Sequence, residues 1–247
     1  MKEQKVIEVT DLVKRFGSFL ANDHLTFHVY RGEIFGFLGA NGAGKTTAIR
    51  ILCGLSRPTS GKVIVAGIDA TRHPEEIKKR IGYMSQRFSL YEDLNVTENI
   101  ELYGGIYGLA RKDILVRMER LLERLNFGQY RDMLISALPL GLRQKLAFAT
   151  AIFHEPEIVF LDEPTSGVDP VTRRQFWEMI YEAAAQGITV FVTTHYMDEA
   201  EYCDSVTIMS EGRIVALDTP AALRQKYGTA SVEELFVRIA RPKNAEA

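Results

Sequence analysis

The residues best suited to chemistry lie in a glycine-rich segment near the start of the chain. Residues 39–46 read Gly-Ala-Asn-Gly-Ala-Gly-Lys-Thr and fit the pattern G-x-x-x-x-G-K-[ST]. In this pattern backbone N–H groups and one lysine ammonium surround the phosphates of a nucleotide, and the final hydroxyl suits Mg²⁺. A glycine-rich turn without a ligand is the alternative, but such a turn has no need of Lys45 or Thr46. The segment therefore predicts a nucleoside triphosphate site.

The segments on either side of the glycines have the patterns that such a site requires. Residues 33–38 are a short apolar run rich in β-formers, and they predict a buried strand that ends where the glycines begin. Residues 46–53 lack Pro and Gly, place Ile49 and Leu52 on one helical face and precede Gly54, so they predict a helix. Bound phosphates would lie at the N-terminus of that helix, where unpaired N–H groups favour anions.

Two further apolar runs end near side chains that could take part in catalysis. Residues 158–161 are followed by Asp162 and Glu163, and residues 189–193 lead to His195. Ligand sites of α/β proteins form at the carboxyl ends of the strands. Asp162 is the predicted Mg²⁺ ligand and Glu163 the predicted general base, although an acidic turn is the usual interpretation of such a pair alone. His195 is distinguished only by its position, and the other four of the five histidines are interpreted as structural.

Composition restricts the classes of function. The chain has 247 residues, of which 46% are hydrophobic and 25% charged, enough for one large core or two coupled lobes. A formal net charge of −2 argues against a surface built to neutralise nucleic-acid phosphates, so no nucleic-acid partner is predicted. Cys53 and Cys203 lie outside C-x-x-C spacing and are interpreted as reduced core thiols. The first residues lack a signal-peptide pattern and no stretch approaches about 18 apolar residues, so the chain is not expected to span a membrane by itself.

Taken together, the motifs resemble the nucleotide-binding subunit of an ABC transporter over nearly the whole chain. Residues 39–47 resemble its Walker A motif, residues 159–163 its Walker B motif and residues 166–169 its D-loop. The resemblance implies an α/β fold of the P-loop NTPase, ABC type, with a mostly parallel sheet, antiparallel N-terminal strands and a helical subdomain. It implies one nucleotide-binding domain over 1–247, made of a catalytic core (1–87 and 155–218), a helical subdomain (88–154) and C-terminal helices with a tail (219–247).

The resemblance also assigns roles to individual residues. The residues that would bind ATP are Phe16, which stacks on adenine in the family, with Gly39, Asn41, Gly42, Ala43, Gly44, Lys45, Thr46 and Thr47. The residues that would hold Mg²⁺ are Thr46, Gln86 and Asp162. Catalysis is assigned to Lys45, Gln86 of the Q-loop, Glu163 and the switch histidine, His195. Without the resemblance, Phe16 would be interpreted as a core residue and Gln86 as a surface residue.

Between Gln86 and Asp162 the pattern becomes helical. Asn95 with Glu98 three residues later predicts a capped helix start. Apolar residues then recur at helical spacing, at Ile114, Met118, Leu121, Leu122 and Leu125. The family docks a helix of its membrane partner just after the Q-loop, and the exposed residues predicted to do so here are Phe88, Leu90, Tyr91 and Leu94.

The main departure from the family lies in the signature motif, which reads Leu-Ser-Gly-Gly-Gln in most relatives and contacts the γ-phosphate bound by the opposite subunit. Here residues 138–142 read Leu-Pro-Leu-Gly-Leu. Pro139 supplies neither a hydroxyl nor an N–H, although it suits the first turn of the following helix, and Leu140 adds bulk where backbone should approach phosphate. Because one positioned transition-state donor is typically worth about 2.7 to 4 kcal/mol, the altered signature is expected to contribute less than usual to hydrolysis.

Residues 31–39 and 162–170 are similar in sequence to the ATP-binding subunits of ABC-2 type exporters. Within that group, the resemblance favours the drug exporters. The resemblance implies a cytoplasmic subunit, peripheral on the inner face of the cell membrane, that hydrolyses ATP, dimerises on it and powers export by a separate integral membrane permease. Homodimer and heterodimer both remain open. One alternative is a nucleotide-gated clamp with little hydrolysis of its own. Another is an ABC ATPase acting on DNA or ribosomes, which would be expected to carry a coiled-coil insertion or a second cassette.

Overall fold

The computed structural model describes residues 4–86 and 90–240 of the chain. Within these residues the strands are β1 (Lys5–Phe16), β2 (Phe19–Tyr30), β3 (Ile34–Gly39), β4 (Ser60–Val65), β5 (Ile68–Asp69), β6 (Ile81–Met84), β7 (Ile158–Asp162), β8 (Thr189–Thr194), β9 (Ser205–Ser210) and β10 (Arg213–Asp218). The α-helices are α1 (Lys45–Leu52), α2 (Pro74–Lys78), α3 (Val96–Ile106), α4 (Arg111–Leu125), α5 (Leu140–Ala151), α6 (Pro170–Ala185), α7 (Pro220–Tyr227) and α8 (Val232–Ala240). Short 3₁₀ helices lie at Gly128–Tyr130, Ile135–Ala137 and Met197–Tyr202.

A six-stranded sheet of order β10-β9-β3-β8-β7-β6 carries the functional segments. Its strands are parallel except for β10, which pairs antiparallel with β9. Every residue of β3, β7 and β8 is buried, as expected for parallel strands with both faces covered. The three strands predicted from apolar runs are therefore confirmed. They are neighbours, so their carboxyl ends bring the glycine-rich loop, Asp162 and His195 to the same edge of the sheet.

A second, four-stranded sheet of order β2-β1-β4-β5 is antiparallel in every pairing. The prediction of antiparallel N-terminal strands beside a mostly parallel sheet is confirmed. The sheets are joined by an aromatic core in which the ring of Phe27 on β2 lies 5.7 Å from Phe35 and 5.5 Å from Phe37, both on β3. This packing fixes the hairpin of β1 and β2 beside the loop that follows β3.

The segment between the Q-loop and β7 is helical where it is described. Asn95 accepts a hydrogen bond from the N–H of Glu98, whose carboxylate accepts one from the N–H of Asn95, so the predicted capping box is confirmed. Ile114, Met118, Leu121 and Leu122 of α4 are buried and Leu125 is half-buried against the same core, as their spacing predicts. This α3–α4 pair and α5 lie within the predicted helical subdomain.

Helix α5 follows the altered signature and packs closely on α6. Pro139 is the N-cap of α5 rather than a residue of its first turn, because its ψ of 148° is extended, so the predicted position is wrong by one residue. A Cβ on Gly141 would lie 2.7 Å from Cγ2 of Thr172 on α6, which is closer than side chains pack. Glycine at 141 therefore permits the close approach of the two helices.

Both cysteines are buried and unpaired, which agrees with their interpretation as core thiols. Burial raises the pKa of the Cys53 and Cys203 thiols well above the usual range. His154, one of the histidines interpreted as structural, stacks on Tyr107 with ring centroids 3.6 Å apart and contacts the Ile81 carbonyl oxygen at 3.1 Å. Burial lowers the pKa of His154 to about 4, so the ring is neutral at physiological pH.

In the part of the chain that the structure describes, no helix combines the length and the apolar character needed to cross a membrane.

Candidate nucleotide site

The loop between β3 and α1 has the backbone conformation that its glycines predict. Gly42 and Gly44 have positive φ values of 82° and 101°, which residues with a side chain rarely adopt. A Cβ on Gly44 would overlap the carbonyl oxygen of Ala21 on β2. Helix α1 then begins at Lys45 and ends at Leu52, and Gly54 follows its cap with a φ of 69°. The predicted strand, loop and helix are therefore confirmed, with the helix starting one residue early.

A cleft of about 280 Å³ opens at this loop. Its lining residues are Phe19, Ala21, Asn41, Gly42, Gly44, Lys45, Thr46, Thr47, Gln86 and Glu163. Most of the residues predicted to bind ATP are thus brought together around one opening. Gly39 and Ala43 are buried behind the loop, where a Cβ on Gly39 would lie 3.2 Å from the Cβ of Ala43.

Lys45 joins the glycine-rich loop to the end of β7. Its Nζ donates to the carbonyl oxygens of Gly39 at 2.8 Å and Ala40 at 3.1 Å, and lies 3.2 Å from Oε1 of Glu163. Both charged side chains are buried, and a buried charge is tolerated when it is paired and hydrogen-bonded. The ammonium is therefore held at the base of the cleft, next to the carboxylate predicted to be the general base.

Glu163 receives two more partners, from separate segments of the chain. Its Oε2 accepts a hydrogen bond from Nε2 of Gln86 at 3.0 Å and lies 3.0 Å from Nδ1 of His195. Because a carboxylate only accepts hydrogen bonds, the contact fixes the proton on Nδ1 of His195. The structure thus brings Lys45, Gln86 and His195 within hydrogen-bonding distance of the Glu163 carboxylate.

The backbone at Glu163 is strained. Its φ of 51° lies in the left-handed region, which costs a non-glycine residue on the order of 1 kcal/mol or more. Hydrogen bonds from its N–H to Thr193, to the carbonyl oxygen at 3.1 Å and to Oγ1 at 3.0 Å, hold this conformation.

Asp162 and Thr46 have oxygen atoms suited to a hard cation. Asp162 Oδ1 accepts hydrogen bonds from Thr193 Oγ1 at 2.7 Å and from Thr46 Oγ1 at 3.3 Å. Burial is the main cause that raises the pKa of Asp162, and the hydrogen bonds from Thr193 and Thr46 oppose it. Among the described residues no three His, Cys, Asp or Glu side chains group as a metal site. Mg²⁺ at a nucleotide needs only one or two protein carboxylates, since phosphates and waters complete its shell, so the oxygens of Thr46, Gln86 and Asp162 fit this ion.

Two aromatic residues flank the tight turn between β1 and β2, near the cleft. Phe16 is 54% exposed, so it is not the core residue that it would be interpreted as without the family resemblance, and the Nζ of Lys14 lies 4.8 Å from its ring centroid. Phe16 does not line the cleft, whereas Phe19 lines it and is 62% exposed. The two residues are a cross-strand pair, so their side chains share one face of the hairpin.

Sequence reasoning missed Phe19 and also Asn22. The side chain of Asn22 is fully buried on β2, and its Nδ2 donates to the carbonyl oxygen of Gly44 at 3.1 Å. This hydrogen bond supports the start of α1 from the neighbouring sheet. The sequence offered one indication of this role, since Asn22 is a polar residue that directly follows the apolar Ala21 within a β-strand.

The altered signature stands apart from the residues that line this cleft. Pro139 is exposed, and Leu140 packs toward the D-loop, where its Cδ2 would lie 3.6 Å from a Cβ on Gly167. Arg143 donates from Nε to the carbonyl oxygen of Leu138 at 2.8 Å. Leu140 thus lies next to the D-loop of its own chain, at a position where the usual signature has glycine.

The model of one protein family, described as ABC transporter, matches residues 22–166. The chain belongs to the ABC transporter family. It is 44% identical over 241 residues to the "Probable multidrug ABC transporter ATP-binding protein YbhF" of Escherichia coli (strain K12), covering 96% of this chain and 42% of that protein. The chain therefore spans less than half the length of this relative.

Other members of the ABC transporter family match over more of their own length. The chain is 36% identical over 223 residues to the "Daunorubicin resistance ATP-binding protein DrrA3" of Streptomyces coeruleorubidus, covering 90% of this chain and 71% of that protein. A solved structure described as "Structure of ATP binding subunit of ABC transporter" is 31% identical, with a TM-score of 0.86, over 96% of this chain and all of the other. The predicted ABC-type fold and the resemblance to drug-export ATP-binding proteins are confirmed.

A second groove, of about 500 Å³, has an apolar lining. It is lined by Cys53, Leu55, Glu75, Lys78, Lys79, Ile81, Tyr83, Ile106, Tyr107 and Gly108. The groove joins the end of α1, the start of β6 and the end of α3. Its apolar side chains Leu55 and Ile106 are exposed, which is unusual for neighbouring apolar residues unless something covers them.

The residues predicted to dock a membrane partner have different environments. Phe88 lies outside the described residues. The prediction for Leu90 is wrong, because its side chain is only 5% exposed and packs in the core with α3 and α4. Tyr91 is exposed and Leu94 is half-buried. The groove described above offers a further apolar surface beside β6.

Proposed function

We propose that this chain binds ATP with Mg²⁺, hydrolyses it, and thereby powers export by a separate integral membrane subunit. The observation that carries the proposal is the convergence of Lys45, Gln86 and His195 on the carboxylate of Glu163, at the edge of the nucleotide cleft. A buried carboxylate held next to a phosphate-binding loop is suited to accept a proton from an attacking water.

In this proposal each residue of the cleft has a defined task. The backbone of residues 39–47 and the ammonium of Lys45 bind the phosphates. Thr46, Gln86 and Asp162 hold Mg²⁺, which when bound neutralises phosphate charge. Glu163 is the general base, and His195 and Gln86 orient it. In this proposal the nucleobase stacks on the exposed ring of Phe19, which lines the cleft, with Phe16 beside it on the same face of the hairpin.

Two copies of the cassette meet with ATP between them, and hydrolysis lets them separate. Both a homodimer and a heterodimer fit, because the cleft lining contains none of the described residues 138–142, which therefore remain available to face an opposite subunit. In a homodimer both sites would use the signature that lacks serine. With a partner that has the usual signature, the cleft of this chain would be the faster site.

The apolar groove lined by Tyr83, Ile106 and Leu55 is the docking surface for a helix of the membrane subunit. Its apolar floor matches one face of an amphipathic helix, and the rim offers both signs of charge through Glu75, Lys78 and Lys79. Docking there places the chain on the inner face of the cell membrane, in the cytoplasm. Two relatives are named for multidrug transport and daunorubicin resistance, and they suggest a drug-like cargo.

A nucleotide-gated clamp is the second candidate, and the altered signature favours it. Without the serine hydroxyl and one glycine, two cassettes could close on ATP and turn it over slowly. The clamp shares the binding residues of the main proposal and differs only in phosphate release.

The test is phosphate release by the purified full chain with Mg²⁺ and ATP, with oligomeric state followed by light scattering. The Glu163→Gln variant is expected to bind ATP and release no phosphate. Glu211→Gln is the matched control, since Glu211 also has a positive φ, of 49°, but lies exposed at a turn. Wild-type protein that binds ATP and dimerises without releasing phosphate would support the clamp, and failure to bind ATP would exclude both candidates.

A further inference from the structure

A fully buried carboxylate lies behind the nucleotide site and has no role in the proposal above. Glu199, on the 3₁₀ helix that follows His195, accepts a hydrogen bond on Oε1 from Thr165 Oγ1 at 2.6 Å. The same oxygen lies 3.7 Å from Nε of Arg173 on α6. Among the described residues its Oε2 has no hydrogen-bond partner. A buried carboxylate is costly, so Arg173 and Thr165 are the groups that compensate it.

Arg173 links this carboxylate to the switch histidine. Its guanidinium carbon lies 4.1 Å from the ring centroid of Tyr196, a short cation–π distance. The ring of Tyr196 lies 4.2 Å from the ring of His195, which in turn contacts Glu163 at 3.0 Å. A continuous series of contacts thus runs from Glu199 through Arg173 and Tyr196 to His195.

Glu199 also contacts the loop that carries Glu163. Thr165, its hydrogen-bond partner, lies two residues after Glu163 in the loop that follows β7. His195 lies in the loop that follows β8, so one carboxylate ties together the two loops that present Glu163 and His195. The His195 side chain is itself partly exposed, and its ring would otherwise be held in this orientation chiefly by the contact with Glu163.

We propose that Arg173 and Tyr196 are positioning residues that hold the His195 ring against Glu163, while Arg173 is itself held by ion pairs with Asp198 at 3.6 Å and Glu199 at 3.7 Å. This inference rests on the proposed function of the site. Arg173 and Tyr196 do not line the nucleotide cleft, so they act on hydrolysis through His195 and not through ATP binding.

The first test measures steady-state hydrolysis by full-chain variants. Tyr196→Leu and Arg173→Ala are expected to lower kcat by about 10- to 100-fold, as a misplacement near 1 Å does, with little change in KM for ATP. Tyr196→Phe keeps the ring and is expected to restore wild-type kcat. Arg174→Ala is the matched control on the same helix, because Arg174 is 84% exposed and pairs with the exposed Glu178.

A double-mutant cycle separates positioning from a general structural effect. If Tyr196 acts through His195, Tyr196→Leu added to His195→Ala causes no further loss of kcat. Losses that multiply in the double variant, or a Tyr196→Phe variant as slow as Tyr196→Leu, would overturn the inference. Thermal unfolding of each variant shows whether loss of fold explains a low rate.

A crystal structure of the Tyr196→Leu variant keeps the inference testable if wild-type protein does not hydrolyse ATP. The expected result is a His195 ring that has turned away, with Nδ1 beyond hydrogen-bonding distance of Glu163. A ring unmoved from its 3.0 Å contact would refute the positioning role. Absence of hydrolysis in wild-type protein would instead count against the proposed function alone.

Discussion

At the scale of single residues, the site depends on partners that are distant in the sequence. The carboxylate of Glu163 contacts Lys45, Gln86 and His195, from three separate segments of the chain. Because this carboxylate and the Lys45 ammonium are both buried, removing either one leaves an uncompensated charge. Variants that keep the shape of the side chain, such as glutamine for glutamate, are therefore the informative ones at this site.

Phe19 is expected to bind the nucleobase. Because stacking of a base on an aromatic ring is worth about 1 to 3 kcal/mol, Phe19→Ala should weaken ATP binding by that amount. Binding of inorganic tripolyphosphate, which has no base, should not change. Titration calorimetry with both ligands measures the difference, and Phe16→Ala run alongside shows whether the ring predicted from the family contributes too. Equal weakening of both ligands by Phe19→Ala would contradict the prediction.

Individual residues were predicted well where the motif is local and poorly where exposure depends on packing. The residues around Lys45 could be assigned because the glycine-rich pattern sets the backbone by itself. Leu90 was predicted to be exposed, but it packs in the core with α3 and α4. Phe16 would be interpreted as a core residue without the family resemblance, yet the hairpin leaves it exposed. The contact of Arg173 with Tyr196 joins α6 to the loop after β8, and no local pattern predicts it.

At the scale of elements, β3, β7 and β8 could be predicted because each is a short apolar run. Helix α1 could be predicted because its residues lack Pro and Gly, place Ile49 and Leu52 on one face and are followed by Gly54. The pairing of strands into two sheets could not be derived from periodicity, since it is set by contacts such as those of Phe27 with β3. The observed starts of α1 and α5 each differ by one residue from the predicted starts, because Lys45 is already helical and Pro139 is the N-cap. Such shifts reflect capping geometry that the residue types alone do not fix.

The contact between α5 and α6 gives a prediction at this scale. Gly141→Ala places a methyl group against Cγ2 of Thr172 and is expected to lower the free energy of unfolding by about 1 to 3 kcal/mol. Thr172→Ser removes that methyl partner, so the double variant should regain much of the loss. Urea unfolding of the two variants and of Thr172→Ser alone measures the effect. A double variant no more stable than Gly141→Ala would show that the clash lies elsewhere.

At the scale of the whole molecule, the effect of the unusual signature depends on the dimer that we propose. Leu140 lies near Gly167 of its own D-loop, and in the proposed dimer it would present an apolar side chain to the nucleotide of the opposite cassette. The consequence of this surface depends on whether the opposite cassette is a second copy or a different chain. ATP turnover by the purified chain alone measures the activity of the homodimer.

Restoring the usual residues is expected to increase turnover by such a homodimer. Pro139→Ser with Leu140→Gly supplies a hydroxyl, an N–H and close backbone approach, and one such donor is worth about 10²- to 10³-fold in kcat. The matched control, Pro139→Ala with Leu140→Ala, removes the proline and shortens the leucine without adding the hydroxyl or the glycine. Phosphate release at saturating ATP is measured for both. Unchanged turnover in the serine–glycine variant would refute a limiting role for this motif.

The apolar groove of about 500 Å³ has a consequence for pharmacology. Its lining, which includes Cys53, Tyr83 and Ile106, shares no residue with the nucleotide cleft. A small apolar compound seated there would exclude a helix of the proposed membrane partner without competing with ATP. Cellular ATP would not displace such a compound, even at millimolar concentration or above. The compound would therefore block coupling to the membrane subunit without inhibiting ATP binding.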